Sequence, residues 1–238
     1  MRAETSKVFP RPCRALIFDL DGVLTDTADT HYLAWKRLAD EIAAPFDRRI
    51  NERLKGVDRM ASLEIVLERA GRVYDDREKR LLAERKNGYY RDAIAGITPD
   101  DLFPGVRELL ADARRHGLKL GLASASRNAA ALLERLDIAD RFDCIADAAL
   151  IQRAKPDPEI FLAAAAGLKV DPAMCIGIED AAAGVRAIHA AGMAAIGIGD
   201  AIELGAADAV LPTIADLRLS RFVVPVRSDD NDAPPHRS

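Results

Sequence analysis

Short apolar runs that end abruptly in acidic, hydroxyl or basic residues constrain this chain more than any other feature. The first is Ala15-Leu16-Ile17-Phe18, which closes on Asp19-Leu20-Asp21-Gly22, a turn signal. A run with no polar position is covered on both faces, which suits a parallel sheet flanked by helices. After Pro99 further runs follow, separated by helical patterns. Strands are expected at Leu118–Ala123, Cys144–Ala146, Met174–Ile178, Ala194–Ile198 and Ala209–Leu211. Between them, helices are read from near Pro104 to Gly117, over about Asn128–Leu136, after Asp157-Pro158 (an N-cap with proline at N1) and over Ala181–Ala191. Repeated β-α units of this kind predict an α/β core, a parallel sheet with helices on both faces.

One block breaks the rhythm. From about Asp29 to Ala95 the pattern is helical throughout. His31, Trp35, Leu38 and Ile42 share one helix face, and Leu63, Val66, Leu67 and Ala70 form a second stripe that stops at Gly71. A third helix is expected over Asp76–Ala95, with Gly88 as its weak point. Because the block follows the first strand, it reads as an inserted second domain. The expected division is a leader over 1–13, an α/β core over 14–28 and 96–222, a helical domain over 29–95, and a disordered tail over 223–238.

Composition narrows the function by exclusion. Thirty-four basic and 38 acidic residues leave a formal net charge of −4, without the basic excess of a general nucleic-acid binder. Cys13, Cys144 and Cys175 form no CxxC pair, and the four histidines (31, 116, 189 and 236) are scattered, so neither a disulfide framework nor a zinc site is expected. The longest apolar run, Ile160 to Leu168, is too short to cross a bilayer, and the start of the chain lacks the apolar stretch of a signal peptide. A cytoplasmic protein is expected, monomeric and without nucleic-acid or membrane partners.

In an open parallel sheet, ligands bind beyond the carboxyl ends of the strands. Four loops meet there: Asp19 and Asp21 after the first strand, Ser124-Ala125-Ser126 after the second, Lys155-Pro156 after the third, and Glu179-Asp180 after the fourth. Hard oxygen ligands suit Mg²⁺. A carboxylate can act as nucleophile toward phosphorus, while a lysine and hydroxyl or backbone donors offset charge on the phosphoryl oxygens. Each element alone is more often a turn or a surface loop; all four at strand ends point to magnesium-assisted phosphoryl transfer.

The segment Phe18-Asp19-Leu20-Asp21-Gly22-Val23-Leu24-Thr25-Asp26-Thr27, with Ser124, Lys155-Pro156 and Gly177-Ile178-Glu179-Asp180, resembles the motif set of the haloacid-dehalogenase superfamily over about residues 14 to 220. Thr30–Trp35, Leu54–Arg59, Arg85-Lys86-Asn87 and Leu122–Asn128 resemble its β-phosphoglucomutase branch. The resemblance implies a Rossmann-like core with a small helical cap. It implies Asp19 as the phosphoryl-accepting nucleophile and Asp21 as the acid/base on the sugar hydroxyl. One Mg²⁺ would be held by Asp19, the Asp21 backbone carbonyl, Glu179 and Asp180. Ser124, Ala125 and Lys155 would grip the transferring phosphate, and Arg59, Ser126, Arg127 and Asn128 the other one. Thr27, His31 and Lys86 would set the position of Asp21, and Trp35, Leu54, Lys55, Gly56 and Ser62 would line the sugar side.

Two positions depart from the family pattern. Arg127 stands where lysine is usual, and Asp58 stands beside Arg59 where serine is usual. Both Asp and Ser cap helices well, but Asp58 adds negative charge next to a phosphate-binding arginine. The activity implied is interconversion of β-glucose 1-phosphate and β-glucose 6-phosphate through an aspartyl phosphate and β-glucose 1,6-bisphosphate. A sugar-phosphate phosphatase is the alternative, and a silent phosphosugar-binding protein a third reading.

Overall fold

The apolar runs pair side by side as six strands of one sheet. The structure, a computed structural model, describes Phe9, residues 12–54 and residues 57–222. Lys55, Gly56, most of the leader and the 223–238 tail lie outside the described residues. The strands are β1 (Ala15–Phe18), β2 (Lys119–Leu122), β3 (Cys144–Ile145), β4 (Cys175–Glu179), β5 (Ala194–Ile198) and β6 (Ala209–Leu211). Their order is β3-β2-β1-β4-β5-β6 and every pairing is parallel. The order reverses between β1 and β4. Successive connections therefore leave in opposite directions, and a crevice opens beyond the carboxyl ends of these two strands.

Among the described residues eight α-helices complete the fold: α1 (Ala28–Glu41), α2 (Arg48–Glu52), α3 (Arg59–Leu67), α4 (Asp76–Ile94), α5 (Val106–Arg115), α6 (Ala129–Arg135), α7 (Glu159–Leu168) and α8 (Ala182–Ala190). Alternate side chains of β1 serve the two faces of the sheet. Leu16 and Phe18 join a core with Leu109 and Leu110 of α5 and Leu132 and Leu133 of α6. Ala15 and Ile17 join another with Ile160 and Phe161 of α7 and Val185 and Ile188 of α8. Both faces are covered, as the unbroken apolar run requires.

Helices α1 to α4 build their own core around Trp35, Leu38, Leu63, Val66, Tyr74 and Leu82. Ala34, Tyr90 and Ile94 instead pack into the sheet-side core, so the roots of α1 and α4 anchor the block. The two chain crossings run together: Thr25 Oγ1 donates to the Asp101 carbonyl at 2.7 Å, and Phe103 N–H to the Leu24 carbonyl at 2.9 Å.

Several boundaries differ from the sequence expectation. Helix α3 ends at Leu67 rather than running to Gly71. Tyr74 is buried in the block core, so the chain must turn early to bring it there before the Asp75–Glu78 capping box opens α4. Pro158 occupies the N-cap of α7 instead of N1; Asp157 still caps, its Oδ1 accepting the Glu159 N–H at 3.0 Å. Gly88 does not interrupt α4, since a mid-helix glycine costs only about 1 kcal/mol. The short α2, capped by the Asp47 side chain on Ile50 N–H, is an element the helical pattern did not separate.

Candidate active site

Beyond the ends of β1 and β4 lies a cleft of about 620 Å³, bounded on the other side by α1 to α4. Asp19 is the first residue past β1, and its N–H donates to the Ile178 carbonyl at 2.9 Å, which ties it to β4. Glu179 closes β4 and Asp180 follows it. Lys155 reaches in from the loop after β3, its Nζ 2.5 Å from Asp19 Oδ1 and 3.3 Å from Glu179 Oε1. Its side chain is only 2% exposed. Holding such charges out of water costs several kcal/mol per ion, so a pairing this deep exists for chemistry more than for stability. The apolar cores on either side of the sheet, at about 1.5–3 kcal/mol per buried large side chain, offset that cost.

Two glycines make the cluster possible. Gly22 has φ +79°, a backbone region open to glycine, and a Cβ there would lie 2.0 Å from Asp180 Oδ2. At Gly184, in the first turn of α8, a Cβ would meet Glu179 Oε1 at 1.7 Å. The helix therefore leaves a hollow that the Glu179 carboxylate fills.

The protonation of the cluster is shaped by burial and by its neighbours. Burial, followed by the Asp19 charge, pushes Asp21 up to about 6, while the Thr27 hydroxyl, which donates to Asp21 Oδ1, opposes the rise. Asp180 is pushed up to about 7 by burial and then by Asp19. Glu179 is raised well above the usual carboxylate range, mainly by burial. Lys155 resists the burial that would neutralise it, because Asp19 and Glu179 hold it charged above its ordinary value.

This arrangement fits a divalent cation. Asp19, Glu179 and Asp180 offer carboxylate oxygens that all lie within 4.8 Å of one another. Glu179 Oε2 is buried without a hydrogen-bond partner. A buried carboxylate oxygen with no donor is costly, and the all-oxygen donor set matches a hard cation such as Mg²⁺.

The wall formed by the helical block carries a different set of groups. On α1 and α4, Lys86 Nζ donates to His31 Nδ1 at 3.0 Å and lies 4.7 Å from the Trp35 ring centroid. Burial, then the charges of Lys86 and Arg59, lowers His31 well below its ordinary value, so the ring is neutral and free to accept. Lys86 itself is lowered to about 7 by burial and then by Arg59. At the start of α3, Asp58 caps the helix through Met60 and Ala61 N–H, and Arg59 Nη1 lies 3.4 Å from Glu84 Oε2. From the core, Asn128 Nδ2 donates to Asn87 Oδ1 at 2.9 Å, a direct bond between the α6 N-cap and α4.

Asp19, Asp21, Thr27, His31, Trp35, Leu54, Arg59, Ser62, Lys86, Ala125, Ser126, Arg127, Asn128, Lys155, Glu179 and Asp180 all line this one cleft. Ser124, at the start of the same loop, is buried, and its Oγ accepts the Ser126 N–H at 3.1 Å. Lys55 and Gly56 are outside the described residues. Sequence reasoning assigned nothing to Asn51, Arg80, Glu84, Asn87 or Gln152, which also line the cleft. Of these only Asn87 had a signal, its place beside Lys86 in a family-like stretch.

The fold and this strand-end cluster define a phosphoryl-transfer protein of the haloacid-dehalogenase kind. The family model of haloacid dehalogenase-like hydrolases matches residues 13–192, and the chain belongs to that family. It is 50% identical over 208 residues to a β-phosphoglucomutase of Bacillus subtilis, covering 87% of this chain and 92% of that one. A crystal structure of β-phosphoglucomutase from Clostridium difficile superposes with a TM-score of 0.85 at 46% identity, covering 87% of this chain and 94% of that one. A phosphorylated carbohydrates phosphatase of Thermotoga maritima is 33% identical over 183 residues, covering 75% of this chain and 82% of that one.

Proposed function

We propose that this protein is a β-phosphoglucomutase, an isomerase that interconverts β-glucose 1-phosphate and β-glucose 6-phosphate. The observation that carries the reading is one cleft with two distinct sets of phosphate-seeking groups. Asp19, Asp21, Lys155, Glu179 and Asp180 stand at the strand ends, and Arg59 on the helical block faces the loop of Ser126, Arg127 and Asn128. A hydrolase acting on a single phosphate has no need of the second set. The likeness to β-phosphoglucomutases over nearly the whole chain supports the same reading.

In this reading Asp19 starts the cycle phosphorylated. The 6-hydroxyl of β-glucose 1-phosphate attacks that phosphorus, the bond from phosphorus to the Asp19 oxygen breaks, and Asp21 takes the hydroxyl proton. The β-glucose 1,6-bisphosphate so formed turns round in the cleft. Asp19 then attacks the phosphorus of the C1 phosphate, the bond from that phosphorus to O1 breaks, the proton on Asp21 goes to O1, and glucose 6-phosphate leaves. A carboxyl near pH 6 is suited to both directions of that proton transfer. Thr27 orients Asp21 through its hydroxyl. Ser124, the Ala125 N–H and Lys155 grip the phosphoryl oxygens, the Ser124 Oγ also accepting the Ser126 N–H and so fixing the loop. Asp19, Glu179, Asp180 and the Asp21 carbonyl would hold one Mg²⁺, which when bound neutralises charge on the transferring group. Arg59, Ser126, Arg127 and Asn128 hold the other phosphate, the guanidiniums as planar forks. His31, Trp35, Leu54 and Ser62 line the sugar, and Lys86 acts with His31.

The helical block, residues 29–95, acts as a cap that closes over the substrate and keeps water from the aspartyl phosphate. The bisphosphate serves as activator as well as intermediate, and the protein works as a cytoplasmic monomer. No helix among the described residues is long and apolar enough to cross a membrane. A coupled assay of glucose 6-phosphate formation from β-glucose 1-phosphate with Mg²⁺ tests the proposal. Isomerisation faster than phosphate release supports it, and phosphate release outrunning isomerisation favours the phosphatase reading.

A further inference from the structure

Glu84 is a carboxylate in a part of the cleft otherwise rich in groups that attract phosphate. It lies on α4 and lines the cleft with Arg59, Asn87, Arg127 and Asn128. Its Oε2 faces Arg59 Nη1 at 3.4 Å, and its Oε1 accepts from Asn87 Nδ2 at 3.3 Å. Asn87 in turn accepts from Asn128 across the cleft at 2.9 Å. One chain of polar contacts therefore runs from the α6 N-cap through α4 to the first turn of α3.

The neighbourhood of Arg59 explains why a carboxylate belongs there. Burial lowers its pKa, the Glu84 charge raises it, and the Arg127 and Arg91 charges lower it again. Without an anion, this cluster of guanidiniums repels itself. Glu84 supplies the anion, but weakly: the contact is long and its side chain is 62% exposed against 21% for Arg59. A contact of that kind is readily given up to a phosphate, which offers Arg59 several oxygens at closer range.

We propose that Glu84 is a built-in stand-in for the distal phosphate: it holds Arg59 in place while the cleft is empty and competes with the sugar phosphate when the cleft fills. The inference rests on the assignment of Arg59 to the distal phosphate. Glu84 is a positioning residue, since it acts through Arg59. Its negative charge sets an upper limit on phosphosugar affinity and favours release of the product.

The test is Glu84→Gln in the full-length protein with Mg²⁺, measured as KM and kcat for β-glucose 1-phosphate. Glutamine keeps an acceptor for Asn87 and removes only the charge. KM is expected to fall roughly two- to fivefold, the range open to a solvent-exposed ion pair, while kcat stays level or falls. The fall in KM is expected to vanish when Arg59→Ala is also present. Glu108→Gln, on the exposed surface of α5, is expected to leave KM unchanged and controls for net charge. An unchanged or raised KM in Glu84→Gln, or an equal gain in the Arg59→Ala background, overturns the proposal. If Arg59→Ala alone leaves KM unaltered, the distal-phosphate assignment of Arg59 is what has failed.

Discussion

The two walls of the cleft are built on opposite principles. At the carboxyl ends of the strands, Asp19, Lys155 and Glu179 are buried; Asp19 and Glu179 stand at strand ends, and Lys155 reaches in from the loop after β3 to pair with them at 2.5 and 3.3 Å. On the helical block, Arg59, Glu84, His31 and Lys86 project from helices that carry a separate apolar core, and the Arg59–Glu84 pair is long and partly wet. The sheet supplies a fixed arrangement of charge, as transition-state stabilisation requires. In the proposed reading the block supplies contacts that are exchanged for those of a substrate. On this account chemistry is concentrated at the sheet wall, and recognition of the second phosphate and exclusion of water at the other.

The strongest challenge to that division is Asp19→Ala. Turnover is expected to fall by about 10⁴-fold or more, the scale of losing a nucleophile that acts within a concerted set. Coupled kinetics with circular dichroism as a folding control reads it, and activity close to wild type refutes the nucleophile assignment. Next comes Gly184→Val, which forces side-chain atoms into the hollow filled by Glu179. A loss of about 10- to 100-fold in kcat is expected, with weaker Mg²⁺ affinity in a metal titration, as for changes to groups that support metal ligands. Unaltered Mg²⁺ binding would separate Gly184 from the metal site.

On the other wall, Asn87→Ala removes the acceptor for Asn128 and the donor to Glu84. Loss of a buried hydrogen bond of about 1 kcal/mol predicts a roughly fivefold rise in KM with kcat little changed. A fall in kcat alone would move Asn87 into the chemical step. The smallest effect concerns pH. Lys86 has a folded pKa of about 7 against an ordinary value of 10.5, so between those values the unfolded chain holds a proton that the folded one lacks. Stability from this group therefore rises with pH across that window and is lost as pH falls toward 7. His31, also lowered, acts in the same direction below its ordinary 6.5. Lys86→Met should accordingly raise Tm relative to wild type more at pH 6.5 than at pH 9.5, and an equal change at both values contradicts the buried-charge assignment.

The same contrast explains what could be read from the sequence. Each strand-end loop announces itself locally, by an unbroken apolar run followed at once by Asp19, Ser124 or Glu179, and the parallel topology does the rest. Lys155 required only that its loop return to the same edge. Gly184 carries no such signal, since its importance lies in the distance from its α-carbon to Glu179 and appears only when α8 packs. Glu84 and Arg80 look like ordinary solvated helix charges, because nothing in a helical pattern says which polar side faces a cleft. The early end of α3 was hidden for a related reason: Leu67 and Ala70 continue the stripe, and only the burial of Tyr74 shows why the chain turns first.

The division of work between the two walls is tested most directly by following both products of β-glucose 1-phosphate in Arg59→Ala. Glucose 6-phosphate formation and free phosphate release are measured in the same sample, with hydrolysis of a small phosphate ester alongside. Isomerisation is expected to fall at least about tenfold, as for removal of one fully engaged charged contact, while ester hydrolysis changes little. Equal losses in both activities would contradict it.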